Sequence, residues 1–478
     1  MVLPKEIFRS YDIRGIYPTQ LNEKSAVVIG KALGTFLNKH VVSTIADEAV
    51  WWRKHIVVGR DNRESSPAIA SNFILGLQST GCDVTDIGLS ITPVIHYLTC
   101  TADFDVGVII TASHNPKEYN GFRIDYAKAT PFFGKDIETL YSIIERGDFE
   151  RGSGSVMVKD MFPQYLSYLK SRFKFDRKLK VAIDCGNGTA SIFAPYVFSE
   201  LGLDVSLVYC DSDSEYPHGI PDPESRLFMN SLRAKVVAQN ADIGFAFDTD
   251  MDRLGVVDDK GIVYENDKLL LLFAEDLLQK NRGATVVFDV KSTAYLESFV
   301  MRSGGVPKML RTGHPYFMNA IKRGALLGGE FSGHTYFGGE YFGFDDGLYA
   351  ACRIIELIMK KHASLSTMMT KFPKLYHTSE IKLSCSDATK FEVIDELGTA
   401  LCKLSSGKSV SCVDGVRVSE SNTGWYLIRA SNTAPIISVR AEGATLSEAR
   451  AMLELVKERL DKYNLDLSAL DNVPLYVS

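Results

Sequence analysis

Thr111-Ala112-Ser113-His114-Asn115-Pro116 sets a hydroxyl, an imidazole and an amide at the end of the apolar run Val106-Gly107-Val108-Ile109-Ile110. The run reads as a buried strand bounded by turn residues. A serine at the carboxyl end of such a strand stands where open α/β sheets bind ligands. There it can serve as a nucleophile. Pro116 disfavours the α region for Asn115, so the segment is expected to remain a loop. Strand-end serines also satisfy turns and cap helices. What gives this one weight is the set of polar loops that follows it.

Phe247-Asp248-Thr249-Asp250-Met251-Asp252-Arg253 carries carboxylates at i, i+2 and i+4 directly after a second strand-like run. In extended backbone alternate residues face one side, so the three are expected to converge on one cation. Hard oxygen ligands with room for water or phosphate suit Mg²⁺. An EF-hand is excluded, because its sixth position, a glycine, is Arg253 and its twelfth, a glutamate, is Asp259. A solvated acidic turn is the plainer alternative, but like charges this close repel one another unless a cation is present.

Two further loops carry polar side chains suited to ligand binding. Arg429-Ala430-Ser431-Asn432-Thr433-Ala434-Pro435 offers a guanidinium fork, two hydroxyls, an amide and loop N–H groups, the inventory that holds a phosphate dianion. Without Arg429 it would read as a hairpin turn. In Gly328-Gly329-Glu330-Phe331-Ser332-Gly333-His334, Glu330 and Ser332 are two apart and can face a vicinal diol together; read alone, the loop is equally a structural turn with a salt-bridged Glu. The N-terminal segment Phe8–Gly15 adds Tyr11 and Arg14, and by itself would be surface.

The elements that must position these loops alternate between strand and helix periodicities, as in mostly parallel α/β domains. Strands are expected at His55–Arg60, Asp105–Ile110, Lys180–Asp184, Asp204–Tyr209, Asp242–Phe247 and Thr285–Asp289, and helices at Leu21–Asn38, Asp267–Gln279 and Leu348–Lys360. The last hundred residues differ. Strands near Ile381–Ser384, Gly424–Ala430 and Ile436–Glu442 lead to a helix at Leu446–Leu460, with a capping-box pattern at Thr445 and Glu448. This is the pattern of a smaller α+β domain.

With 478 residues the chain is long enough for three or four domains. Its 45% hydrophobic and 23% charged residues are those of an ordinary globular protein. A net charge of −6 excludes a globally basic nucleic-acid binder, and no stretch approaches a membrane span. The N-terminus does not read as a secretory signal. Eight cysteines (82, 100, 185, 210, 352, 385, 402 and 412) show no metal-ligand spacing and read as small buried hydrophobes in a reducing, cytoplasmic setting.

Taken together and in this order, the loops resemble those of the α-D-phosphohexomutase superfamily, from Tyr11 to Pro435. The resemblance is nearest the bacterial phosphomannomutase/phosphoglucomutase branch. Phe331 stands where the glucosamine branch has Gln, and Asn432 replaces that branch's Gly. The resemblance implies a heart-shaped α/β architecture of four domains around a central cleft. Three are related α/β domains, 1–155 with the phosphoserine loop, 156–261 with the metal loop and 262–373 with the sugar loop; 374–478 is the α+β domain with the phosphate loop.

It also implies roles. Ser113 would be the phosphoserine, and Asp248, Asp250 and Asp252 would hold Mg²⁺ with one of its phosphate oxygens. The expected catalytic set is Ser113, His114, Arg123, Arg253, His314 and His334. Tyr11, Arg14, Lys291, Glu330, Ser332, Arg429, Ser431, Asn432 and Thr433 would bind substrate, with Glu330 and Ser332 reading the sugar hydroxyls. The implied reaction moves a phosphoryl group between the 1- and 6-positions of mannose and glucose phosphates through a 1,6-bisphosphate, with glucose 1,6-bisphosphate as activator. The implied partners are small hexose phosphates, with no nucleic acid or membrane, and the protein would be a monomer or weak homodimer.

Some positions depart from the family pattern. Arg123 stands where the family has Lys, and arginine does not readily shed a proton, so His314 or His334 is expected to carry it. Pro315 follows Gly313-His314 where a small hydroxyl residue is expected, and Thr249 and Met251 replace glycines between the metal aspartates. Trp51 and Trp52 are read as packing against the neighbouring helix.

Three alternatives remain: a phosphoglucosamine mutase, a catalytically silent sugar-phosphate-binding protein, and a phosphatase-like hydrolase with His114 as base to Ser113. The hydrolase lacks the G-x-S-x-G elbow. Adjacent residues in strand-like backbone also point apart, which places His114 poorly for that role.

Overall fold

Strand and helix alternate where the periodicities change. The computed structural model describes residues 3–40, 54–403, 409–431 and 434–477; Trp51, Trp52, Asn432 and Thr433 lie outside the described residues. The chain forms two compact units, Met1–Val263 with Gly333–Ser366, and Tyr264–Ser332 with Thr367–Ser478. The segment Gly333–Ser366 groups with the first unit.

The first unit holds two sheets. One runs Ile13–Ile16, Tyr119–Tyr126, Val106–Ile110, His55–Arg60, Asp83–Leu89 and Val156–Val158, parallel from Val106–Ile110 onward and antiparallel at the N-terminal strand. Val106–Ile110, paired on both sides, is buried along its whole length, as an interior strand of a sheet covered on both faces must be. A Cβ at Gly107 would come within 2.6 Å of Ile95 and Thr99, so the helix Thr92–Thr101 packs this close only against glycine. The edge strand Val156–Val158 adds to this sheet.

The other sheet orders Leu254–Asp258, Ile243–Phe247, Lys180–Asp184 and Asp204–Val208. Ile243–Phe247 is parallel to Lys180–Asp184 and antiparallel to Leu254–Asp258. Ser113 follows Val106–Ile110 and Asp248 follows Ile243–Phe247, so both stand at the carboxyl ends of central strands.

In the second unit Thr285–Asp289 lies parallel between Val306–Leu310 and Leu327–Gly329. An antiparallel sheet follows, built on Trp425–Ala430 and Ile436–Gly443. Its alternating apolar positions, with those of Ile381–Ser384, share one core with the helices Lys390–Lys403 and Leu446–Leu460.

Thr445 Oγ1 accepts the Glu448 N–H at 3.1 Å, as the capping pattern requires. Glu448 reaches back one residue further than expected, to the Ala444 N–H. The cysteines do not all behave as buried hydrophobes. Cys402 and Cys412 are exposed with sulfurs 3.2 Å apart, and Cys185 lies 3.0 Å from Cys210, with no disulfide among the eight. Among the described residues no helix is long and apolar enough to cross a membrane.

Candidate active site

Ser113 takes a φ of +48°, a left-handed conformation costing a non-glycine residue about 1–2 kcal/mol. Its loop is pinned by a residue the sequence reading passed over. The buried Arg63 donates through Nη2 to the carbonyls of Ser113 and Asn115 at 2.7 Å each, and through Nη1 to those of Pro116 and Tyr119 at 2.7 and 3.1 Å. Asp61 anchors Arg63 Nε at 3.1 Å. The available signal was position, since Asp61-Asn62-Arg63 also follows a buried strand, His55–Arg60. Arg14 adds a bond from Nη1 to Asn115 Oδ1 at 2.8 Å and pairs with Asp12 at 2.7 Å, and Tyr11 is half-buried.

Ser113 Oγ donates to Asp248 Oδ2 at 2.7 Å and lies 3.0 Å from His114 Nδ1. The latter contact corrects the expectation that neighbouring side chains diverge here. Residues 113–114 form a turn rather than extended chain, and the positive φ swings the hydroxyl toward the imidazole.

Asp248, Asp250 and Asp252 each bring a buried carboxylate oxygen within 4.8 Å of the others. They do so through a turn with Met251 at φ +62°, not through the extended alternation read from their spacing. Burial and the neighbouring carboxylates push Asp248 well above the usual range, and burial with Asp252 pushes Asp250 up to about 6. Thr92 Oγ1 donates to Asp250 Oδ2 at 2.6 Å, while Asp250 Oδ1 and Asp252 Oδ1 are buried with no hydrogen-bond partner. An all-oxygen donor set with orphaned carboxylate oxygens fits a hard divalent cation.

A second acidic grouping, Asp252, His334 and Asp345, lies beside the triad. There a guanidinium already balances the charge. Arg123 Nη1 donates to Asp252 Oδ2 at 2.7 Å, and Nη1 and Nη2 fork onto Asp345 at 3.1 and 2.7 Å. Burial favours the neutral form of Asp345, yet Arg123 and His334 hold its carboxyl well below the usual range.

His334 sits between opposite charges. Its Nδ1 is 2.9 Å from Asp345, and Arg253 Nε donates to its Nε2 at 3.1 Å. Burial opposes protonation, but Asp252 and Asp345 raise its pKa above the ordinary value. His96 completes the network, 3.5 Å from Asp125 and 3.6 Å from Asp345. Asp345, Asp125 and His96 carried no spacing that would have marked them.

The second unit carries the remaining candidates. Glu330 is 1% exposed, and its Oε2 accepts the Gly313 N–H at 2.7 Å, immediately before His314 opens the helix His314–Lys322 with Pro315 in its first turn. Ser332 is buried as well. Between them, Phe331 packs under the guanidinium of Arg440 at 3.9 Å and Lys291 Nζ at 5.6 Å. Arg429 donates from Nε to Asp414 Oδ2 at 3.1 Å, and the Ser431 hydroxyl accepts the Ala434 N–H at 3.2 Å.

The chain is similar to known proteins along nearly its whole length. Four family models match in chain order. The phosphoglucomutase/phosphomannomutase alpha/beta/alpha domains I, II and III match residues 5–151, 163–261 and 265–376, and the C-terminal domain of the same family matches 380–459. A phosphomannomutase/phosphoglucomutase of Pseudomonas aeruginosa is 38% identical over 459 residues, 96% of each chain. A phosphoglucomutase of Neisseria meningitidis is 36% identical over 93% of this chain and 94% of its own. The crystal structure of a phosphoglucomutase/phosphomannomutase family protein from Burkholderia thailandensis superposes with a TM-score of 0.87 at 33% identity, covering 99% of both chains. From the Ser113 loop to the Arg429 loop, this chain belongs to the phosphoglucomutase/phosphomannomutase family.

Proposed function

We propose that the protein is a phosphohexomutase that interconverts the 1- and 6-phosphates of glucose and mannose through a phosphoserine at Ser113 and a 1,6-bisphosphate. The observation that carries the reading is Ser113 Oγ, 2.7 Å from Asp248 Oδ2 at the edge of three converging buried carboxylates. A phosphoserine adds nearly two negative charges, and phosphoryl transfer is catalysed chiefly by positioning and charge neutralisation. Asp248, Asp250 and Asp252 would hold Mg²⁺, which when bound neutralises the transferring phosphoryl oxygens.

The chain's own residues do the rest. Arg63 and the left-handed backbone fix the Ser113 loop. Arg123 remains charged and supports Asp252 and Asp345. His334, with a raised pKa between Arg253 and Asp345, is assigned the proton movement that arginine at 123 does not perform. Arg429, Ser431, Asn432, Thr433 and Lys291 bind the distal phosphate, and Glu330 with Ser332 reads O3 and O4 of the sugar. Tyr11, Arg14, Arg253 and His314 contribute further contacts, and glucose 1,6-bisphosphate primes Ser113. We read the chain as four domains, a cytoplasmic monomer or weak homodimer acting on hexose phosphates alone.

A pair that reads O3 and O4 does not distinguish glucose from mannose, which differ at C2. Galactose differs at C4 and loses a charged hydrogen bond, worth about 1.5–3 kcal/mol. The test is a coupled assay with Mg²⁺ and a trace of the bisphosphate. Glucose and mannose 1-phosphates should turn over comparably, with little turnover of glucosamine or galactose 1-phosphate. Galactose within a few-fold of glucose would overturn the Glu330 assignment. The 3.0 Å contact of Ser113 Oγ with His114 favours a second reading, a phosphatase. Stoichiometric release of inorganic phosphate in the same assay would establish it instead.

A further inference from the structure

In the second unit one carboxylate lies against both cations assigned to the distal phosphate. Glu380 Oε2 is 3.4 Å from Lys291 Nζ, and its Oε1 is 3.9 Å from Arg429 Nη1. Ser438 Oγ donates to Oε1 at 2.5 Å and fixes the carboxylate's orientation. Burial opposes its ionisation, yet Lys291 and Arg429 hold the carboxyl down to about 2.

Arg429 meets a second carboxylate in a different way. Asp414 Oδ2 takes Nε at 3.1 Å and Nη2 at 3.0 Å, a close two-point contact, and also accepts the Thr312 N–H at 3.1 Å. Charge-assisted bonds in well-made pairs run about 2.7–2.9 Å. Both contacts of Arg429 with Asp414, at 3.0 and 3.1 Å, lie just outside that range, but they are closer and two-pronged, whereas Glu380, at 3.4 Å from Lys291 and 3.9 Å from Arg429, is a loose counter-ion. The Glu380 side chain is also 15% exposed, against 4% for Lys291 and 6% for Arg429, so it is the most accessible of the three.

We propose that Glu380 is a positioning residue and a built-in competitor for the substrate's distal phosphate. It holds Lys291 and Arg429 in place while the phosphate is absent, and it limits how tightly they grip the phosphate when present. The inference rests on the phosphate-binding role proposed above for these two cations. It also gives that role a purpose suited to the chemistry. A mutase that forms a bisphosphate must release one phosphate from the clamp and accept the other, so a clamp of maximal strength would stall each cycle. A carboxylate that stays ionised beside the bound dianion repels it and weakens the grip.

The test is Glu380→Gln in the full chain, with calorimetric binding of inorganic phosphate and steady-state kinetics on glucose 1-phosphate. Loss of one adjacent like charge should tighten phosphate binding by about tenfold. KM should fall, and kcat should fall with it, as release becomes limiting. Weaker phosphate binding with kcat unchanged would overturn the proposal, since Glu380 would then serve only to orient the cations. If Glu380→Gln fails to unfold cooperatively, Glu380→Asp supplies the measurement. Its shorter side chain withdraws the charge and should tighten phosphate binding about two- to threefold, and a loss of affinity would overturn the idea. Arg429→Met separates the two levels of inference. If it binds phosphate as the parent does, the clamp assignment itself fails; if it loses binding while Glu380→Gln leaves affinity unchanged, only the present proposal fails.

Discussion

The two units solve opposite electrostatic problems. In the first, Asp248, Asp250 and Asp252 crowd within 4.8 Å, with two oxygens unbonded and two carboxyls pushed upward. That site is built with a deficit of positive charge. In the second, buried cations are matched in place: Arg429 with Asp414, Lys291 with Glu380, Lys268 with Glu442 and Arg440 with Asp267. On the reading proposed above, the contrast separates a site that would acquire a cation from one whose cations are already balanced and would exchange a carboxylate for an incoming phosphate.

The strongest way to break that contrast is at Ser113. Ser113→Ala should lower mutase turnover about 10³-fold or more, as removal of a nucleophile does, and leave calorimetric phosphate binding intact. Loss of both together would mean that the units do not divide the work as described. Next comes Arg123, the guanidinium that bridges Asp252 and Asp345. Removing one partner of a buried pair costs about 3–5 kcal/mol, so Arg123→Met should lose that much in denaturant unfolding while Arg123→Lys loses less.

Acid should strike the second unit through its balanced pairs. Burial works against ionised Glu442, yet Lys268 and Arg440 hold its carboxyl down to about 2, from an ordinary 4.5. A carboxylate lowered on folding stabilises above its unfolded pKa, and the contribution is lost as pH falls from about 4.5 toward 2. The shift corresponds to something on the order of 3 kcal/mol. His377, buried and held down to about 3 beside Arg440, acts in the same direction from its ordinary 6.5 downward. Glu442→Gln should flatten the acid limb of a stability–pH curve below pH 4.5, and an unchanged limb would count against the pairing.

Mg²⁺ at a hundredfold its dissociation constant should stabilise the parent by about 2.7 kcal/mol, and Asp250→Asn should abolish that thermal shift. The smallest effect belongs to neither site. Thr445→Ala should cost about 1 kcal/mol of stability through its lost helix cap, with turnover unchanged.

How much of this was legible follows from where the information sits. The carboxylates of Asp248–Asp252 were visible because a turn after a strand keeps them within five residues, though their convergence came from a left-handed Met251 rather than from strand alternation. Strands such as Lys180–Asp184 and Thr285–Asp289 fell where their apolar runs begin and end. What stayed hidden was long-range partnership. Asp345 meets Arg123 across 222 positions, and Arg63 reaches Ser113 across 50. Glu380 and Asp414 carry no periodic or motif signal, and only the fold reveals which cations they face.

The left-handed backbone at Ser113 also bears on how a permanently charged surrogate of the proposed phosphoserine should be built. Aspartate enters that region several-fold more readily than most side chains, whereas glutamate, the longer and more common mimic, has no such ease. Ser113→Asp is therefore the surrogate that the loop tolerates. Its carboxylate would lie against Asp248, so the mimic should fold well in Mg²⁺ and poorly in chelator, which makes its melting temperature a gauge of metal occupancy.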